Sequence, residues 1–344
     1  MKRFIAVIFI LIGFISAWQM LSVIQIKVVG QPSSTGLIAT QIEQPFFASL
    51  QSNTSLPIEV AFKSLDKIGF KDTFQLPMMK DGVFDLASLR LIQNTQNEIT
   101  LNGLDLTGLN LNTEKARTLA DAYLPVVDKR LQEKYHVKLL GLWSFGPQEL
   151  FCSKPISKLA DFKGIKIRVA NESIAQFIAY FGAIPTVIPF DETRVALQSK
   201  IVDCAISSVS SASSAGWFDF TKYYLPVHFG TGINAYAITL SKWNLLSDKQ
   251  QDTLQSAFNK HIDNIWKFSQ KNLVDTQNCM LSKDVCKEKK YKIITVDLTA
   301  EDQAHMNKQF KNLSFRKWAA ACNQEYPQCE KEWLRLVGSI AGLE

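Results

Sequence analysis

The sequence predicts an α/β protein built from two units. Three observations carry this reading. Alternating apolar and polar runs mark short strands, and helix-like stretches separate many of them. Gly146-Pro147 interrupts the chain near its middle. Beyond that break, strand, helix, strand, helix and strand follow with short connections, the arrangement of a parallel sheet. The length of 344 residues agrees, since a single core stops growing near ~250–300 residues.

Each element has its own signal. Ser22 to Val29 alternates and reads as the first strand, and the hydroxyl-rich turn Gly30 to Gly36 follows. Leu37 to Leu50 can form a helix, and Pro57 to Phe62 and Phe84 to Leu91 alternate as strands. Thr113 to Tyr135 is rich in Ala, Leu, Lys and Arg and predicts a helix; Val137 to Ser144 predicts a buried strand. In the second unit, Leu150 to Ser153 is a short extended piece and Ile165 to Val169 is a strand. Ile174, Phe177, Ile178 and Phe181 form one side of a helix, Pro185 to Pro189 is extended, and Asp191 caps a helix to Lys200. Ile201 to Ser207 is a strand, followed by the serine-dense stretch 207–214. Tyr223 to Val227, Asn234 to Leu240 and Tyr291 to Val296 read as strands. Ser247 caps a helix expected to reach Lys271, with Leu254, Phe258, Ile262 and Trp266 in one stripe; helices over Ala300 to Asn312 and Cys322 to Ile340 finish the chain.

The N-terminus reads as a secretory signal peptide over residues 1–17. Lys2-Arg3 precedes the uncharged apolar run Phe4 to Ala17, which ends in the small residues Ser16 and Ala17. Cleavage would remove two of the six net positive charges and leave +4. No run of Lys or Arg concentrates that charge, so the composition argues against a nucleic-acid partner. An exported chain can keep disulfides. The six cysteines permit 15 pairings. Cys279 and Cys286, and Cys322 and Cys329, are each seven apart, and such short loops close easily; Cys152 and Cys204 are left over. With no CxxC and no His at ligand spacing near either local pair, no metal is expected.

Catalytic motifs are missing. His136, His228, His261 and His305 fall in different elements, and neither G-x-S-x-G nor H-E-x-x-H nor a phosphate-binding Gly-rich loop occurs. The serines of 207–214 have no recognisable base, so an exported serine hydrolase is the remote alternative. No enzyme activity and no cofactor are expected. The strand 165–169 supplies a different chemistry. Ile165, Ile167 and Val169 point one way, and Lys166 and Arg168 the other. Arg168 is near the C-terminal end of its strand, where clefts of α/β proteins bind ligands, and the serines follow another such end.

The run K-P-I-x-x-L-x-D-F-K-G-I-K-I-R-V at 154–169 resembles the solute receptors of tripartite ATP-independent periplasmic (TRAP) transporters, the DctP type. F-G-A-I-P-T-V-I-P-F-D-E at 181–192, A-L-Q-S-K-I-V-D at 196–203 and N-A-Y-A-I-T-L-S-K-W at 234–243 continue the resemblance. It implies a two-lobed periplasmic-binding-protein fold, type II-like, with a long helix bracing both lobes. Lobe I would span 22–145 plus 231–250, lobe II 146–230, and 251–344 would pack across both. The implied function is periplasmic capture of a small organic acid for an ion-gradient-driven TRAP membrane permease; a receptor feeding a membrane sensor is the alternative. Arg168 stands where the family pairs an arginine with a substrate carboxylate. Gln148 and Ser207 replace a frequent second Arg and a frequent Asn, and Cys204 replaces a Gly. These changes point to a monoacid, with Trp143, Phe190, Trp217 and Tyr236 as candidate apolar walls and Arg90 as a substitute cation. The fold would also set Cys152 beside Cys204, implying a disulfide.

Overall fold

The computed structural model describes residues 23–109, 111–286 and 289–343. The expected signal peptide lies outside the described residues. In chain order the strands are β1 (Ile24–Gly30), β2 (Ile58–Ser64), β3 (Leu86–Leu89), β4 (Val137–Ser144), β5 (Glu149–Cys152), β6 (Lys166–Val169), β7 (Ile184–Val187), β8 (Cys204–Ser207), β9 (Tyr223–Leu225), β10 (Ile233–Thr239) and β11 (Ile294–Thr295). They form two sheets, ordered β2-β1-β3-β10-β4 and β11-β9-β5-β8-β6-β7, one for each lobe. In the second sheet β8, β6 and β7 are parallel, linked by the helices Glu172–Tyr180 and Thr193–Gln198, as the short connections required.

The chain crosses between the lobes just after β4 and again between β9 and β10. The crossings are stitched together: Gln148 N–H donates to Gly230 O (2.9 Å), Phe229 N–H to Gln148 O (2.8 Å) and Phe145 N–H to Gly232 O (3.2 Å). The half-buried carboxylate of Asp105 accepts from Thr231 N–H (2.6 Å), the Thr231 hydroxyl (3.0 Å) and Gly232 N–H (2.8 Å). Burial raises the Asp105 pKa despite these donors.

The long helix runs Asp248–Met280, past the expected end at Lys271. Leu254, Phe258, Ile262 and Trp266 enter the core of the first lobe, whereas Met280 enters a core of the second. Polar bonds repeat the division. Trp266 Nε1 donates to Leu142 O (2.9 Å), Ser269 Oγ to Ser144 O (2.7 Å), and Gln277 Nε2 to Tyr224 Oη (3.3 Å). One helix thus binds to both lobes.

The strand expected over Tyr291 to Val296 is present as the short β11, at the edge of the second sheet beside β9. The C-terminal helices depart from expectation. The expected final helix is two, Arg316–Glu325 and Cys329–Val337, because the chain turns at Tyr326-Pro327 and proline cannot continue the hydrogen-bonded ladder. Across that turn lies the Cys322–Cys329 disulfide, and Cys152–Cys204 and Cys279–Cys286 are the other two. Cys152 and Cys204 are register partners on the antiparallel strands β5 and β8, so their bond links neighbouring strands of one sheet.

Candidate functional site

A small cavity of about 30 Å³ lies where the lobes meet. Thr35, Arg90, Ile92, Gln93, Phe145 and Asn234 line it from the first lobe. Gln148, Arg168, Ala170, Phe190, Ser207 and Ser211 line it from the second. At this size it holds one or two water-sized groups.

Arg168 is the centre of this site. The alternation of β6 buries Ile167 and Val169 in one core and turns Arg168 to the sheet's other face. There its side chain is enclosed, with only 2% of the residue exposed. Nε donates to Ile188 O and Nη1 to Ile206 O, both at 2.9 Å. The guanidinium carbon is 5.7 Å from the Trp217 ring centroid and 5.9 Å from that of Phe190, inside the range where a ring face attracts a cation. Two carbonyls and two rings fix the fork. Among the described residues, no carboxylate forms an ion pair with it. Burial, and next the nearby Arg90 guanidinium, hold the Arg168 pKa below its ordinary value. An anion placed against the remaining donors would relieve both effects.

Arg90 faces the same cavity from the end of β3. Its Nε lies 3.1 Å from Asp72 Oδ2, and Nη1 donates to Gln31 Oε1 (3.1 Å). Gln31 Nε2 donates in turn to the Ser88 hydroxyl (3.0 Å), and the Arg90 backbone N–H to Gln75 Oε1 (2.9 Å). Gln148 Nε2 donates to Gly146 O (2.9 Å). Ser207 lines the cavity, and its hydroxyl forms no hydrogen bond among the described residues.

The structure therefore brings together Arg168, Arg90, Gln148, Ser207 and Phe190, with Trp217 packed beneath Arg168 rather than on the cavity wall. Trp143 and Tyr236 lie elsewhere. Both are buried in the core of the first lobe, with ring centroids 6.0 Å apart. Tyr236 Oη donates to Glu43 Oε1 and meets His261 Nε2, each at 3.0 Å. The reason is depth along a strand. Asn234 reaches the cavity, whereas Tyr236 is two residues further along β10 on the same face, under the helices Gln44–Thr54 and Asp248–Met280. Thr35, Gln93 and Asn234 are lining residues that sequence reasoning did not single out, whereas Ser211 belongs to the serine stretch 207–214 placed at a strand end. The hydroxyl-rich turn after β1 was the available signal for Thr35.

Among the described residues, no histidine hydrogen-bonds to a serine of 207–214. Ser208 Oγ instead accepts from Ser211 N–H (3.2 Å) as the cap of the helix Val209–Ser214. No three His, Cys, Asp or Glu side chains among the described residues cluster to hold a metal. None of the helices among them is long and apolar enough to cross a membrane.

The model of the bacterial extracellular solute-binding proteins, family 7 (DctP), matches residues 70–320. The chain belongs to this family. Among the family's members, the sialic acid-binding periplasmic protein SiaP of Vibrio cholerae is 30% identical over 136 residues, 39% of this chain and 42% of SiaP. The 2,3-diketo-L-gulonate-binding periplasmic protein YiaO of Escherichia coli is 29% identical over 160 residues, 46% of this chain and 48% of YiaO. The matched segments thus span less than half of either relative. A TRAP periplasmic solute binding protein from Desulfovibrio salexigens, solved with orotic acid, superposes with a TM-score of 0.78 at 17% identity, covering 91% of this chain and 99% of that one. The Bordetella pertussis extracytoplasmic solute receptor DctP7, binding pyroglutamic acid, gives 0.77 at 16% identity, over 90% and 99%. At such identity the likeness is one of fold, and the fold is the two-lobed receptor fold of the DctP family.

Proposed function

We propose that the chain is an exported solute receptor of the periplasm that captures a small organic acid by its carboxylate and hands it to the ion-gradient-driven permease of a TRAP transporter. One observation carries the reading. Arg168 is a buried guanidinium between two lobes, held by carbonyls and rings, with no carboxylate of its own. Burying a cation without a partner is costly, so such a group implies an anion that arrives from outside. A planar fork matches the two oxygens of a carboxylate, and enclosure between lobes strengthens the pair. Family membership and the small acids named for its relatives support the same assignment. The reading involves no catalytic step.

The test is a thermal-shift screen of the refolded, ligand-stripped protein against small organic acids. A binder raises the melting temperature by mass action, and Arg168→Ala removes that rise while the fold persists. Unchanged acid binding by the alanine variant would overturn the carboxylate role of Arg168.

A further inference from the structure

Two guanidinium groups line the cavity, one from each lobe, but they are not equivalent. Arg168 is in direct contact only with neutral groups: the carbonyls of Ile188 and Ile206 and the two rings. Arg90 already has a carboxylate, Asp72 Oδ2 at 3.1 Å, and both side chains are largely enclosed, at 7% and 13% exposure. Asp72 also acts on Arg168, but only at longer range and less than the opposing Arg90 guanidinium; Asp191 acts on both arginines at longer range, from an exposed position where solvent screens it. The site therefore presents one guanidinium without a carboxylate in contact, although it contains two cations. A second carboxylate brought to Arg90 would have to approach Asp72 as well, and like charges in an enclosed site repel strongly.

Resting on the carboxylate reading of Arg168, we propose that the Arg90–Asp72 pair makes this receptor selective for singly charged acids. The single carboxylate sits on Arg168. The far end of the ligand is an uncharged amide, hydroxyl or carbonyl group that meets Arg90, Gln148 and Asn234. Asp72 is the specificity-determining residue: it cancels Arg90 as an anion site while leaving it a hydrogen-bond donor.

The experiment compares matched acids that differ in one charge, malonate with malonamate and succinate with succinamate, together with pyroglutamate, by thermal shift and calorimetry at pH 7.5. The full mature protein, stripped of ligand, is used as the parent, Asp72→Asn and Arg168→Ala forms. The half-amides or pyroglutamate bind the parent at least ten-fold more tightly than the dianions, and Asp72→Asn narrows or reverses that ratio by ten-fold or more. Should Asp72→Asn fail to fold, the parent's ranking of the pairs alone decides. A parent that prefers dianions, with binding lost in Arg168→Ala, overturns the charge selectivity and keeps the carboxylate site. A ratio unchanged by Asp72→Asn overturns the role of Asp72. Failure of every acid of either charge to bind the parent overturns both readings.

Discussion

Arg168 rests on Trp217: the guanidinium carbon lies 5.7 Å from the ring centroid, and the tryptophan is fully buried under it. The ring does two things at once. It attracts the cation, and it blocks the rotamers that would carry the fork out of the cavity. Trp217→Leu should therefore weaken acid binding by roughly ten-fold, since a desolvated cation–π contact is worth about 1–2 kcal/mol. Calorimetric titration checks this, and Phe190→Leu should act in the same direction. An unchanged affinity would show that the two carbonyls alone position Arg168.

Arg168→Lys should lose at least about 100-fold in affinity, in the range of about 2–5 kcal/mol found for truncating a buried charge pair. An ammonium keeps the charge but cannot satisfy Ile188 O, Ile206 O and a carboxylate from one planar fork. The melting temperature without ligand should stay near that of the parent, because no ion pair within the protein is broken. Direct titration with an acid that binds the parent decides the point.

The core of the first lobe should show an opposed pair of titrations. Glu43 accepts from Gln31 N–H and Tyr236 Oη, and burial pushes its pKa up to about 7, beyond what those donors and Ser88 counteract. Its protonated form is favoured in the fold, so its contribution to stability falls as pH rises from about 4.5 to about 7. His261, stacked on Phe46 with ring centroids 3.7 Å apart, is pushed down to about 3 by burial. It stays neutral in the fold, so its contribution falls as pH drops from about 6.5 toward 3. Between pH 6.5 and 4.5 the two slopes oppose each other. Glu43→Gln should remove one of them. The variant gains stability relative to the parent at pH 8 and loses that advantage by pH 5, as measured by urea unfolding across the range.

Removing Cys152–Cys204 should cost more than removing either local disulfide. The bond spans 52 residues against seven for each of the others. Loop-closure entropy gives about 4 kcal/mol for the long loop and about 2.5 kcal/mol for a short one. Cys152→Ala with Cys204→Ala, compared with the corresponding double variants of the local pairs by chemical denaturation, measures the difference.

The sequence was informative wherever the signal was local. The alternation of GIKIRV placed Arg168 opposite Ile167 and Val169, and the short connections around it implied the parallel order of β8, β6 and β7. The two seven-residue spacings favoured the local disulfides. What was not legible was depth. Trp143 and Tyr236 occupy strands that reach the cavity, yet they sit below its floor, because the helices covering that face come from residues 44–54 and 248–280, far away in sequence. Period two assigns a side chain to a face and says nothing about how far along the strand the cover begins. Asp72 was invisible for a similar reason. Its importance lies in a contact with Arg90, eighteen positions on, across a short helix and a strand.

Gln148 both lines the cavity and ties the two crossings together. Its backbone bonds Phe229 and Gly230 in the returning crossing, and a methyl group at Gly232, which has a φ of +63°, would come within 2.5 Å of its Nε2. A side chain that lines the cavity thus belongs to the crossing between the lobes itself. A shift of a fraction of an ångström there would be multiplied by the length of each lobe into a much larger swing at the outer rims. In the proposed receptor a solute held in this cavity would sit at the fulcrum of two levers, so that a few of its atoms would govern the posture of the whole surface that a membrane partner would touch.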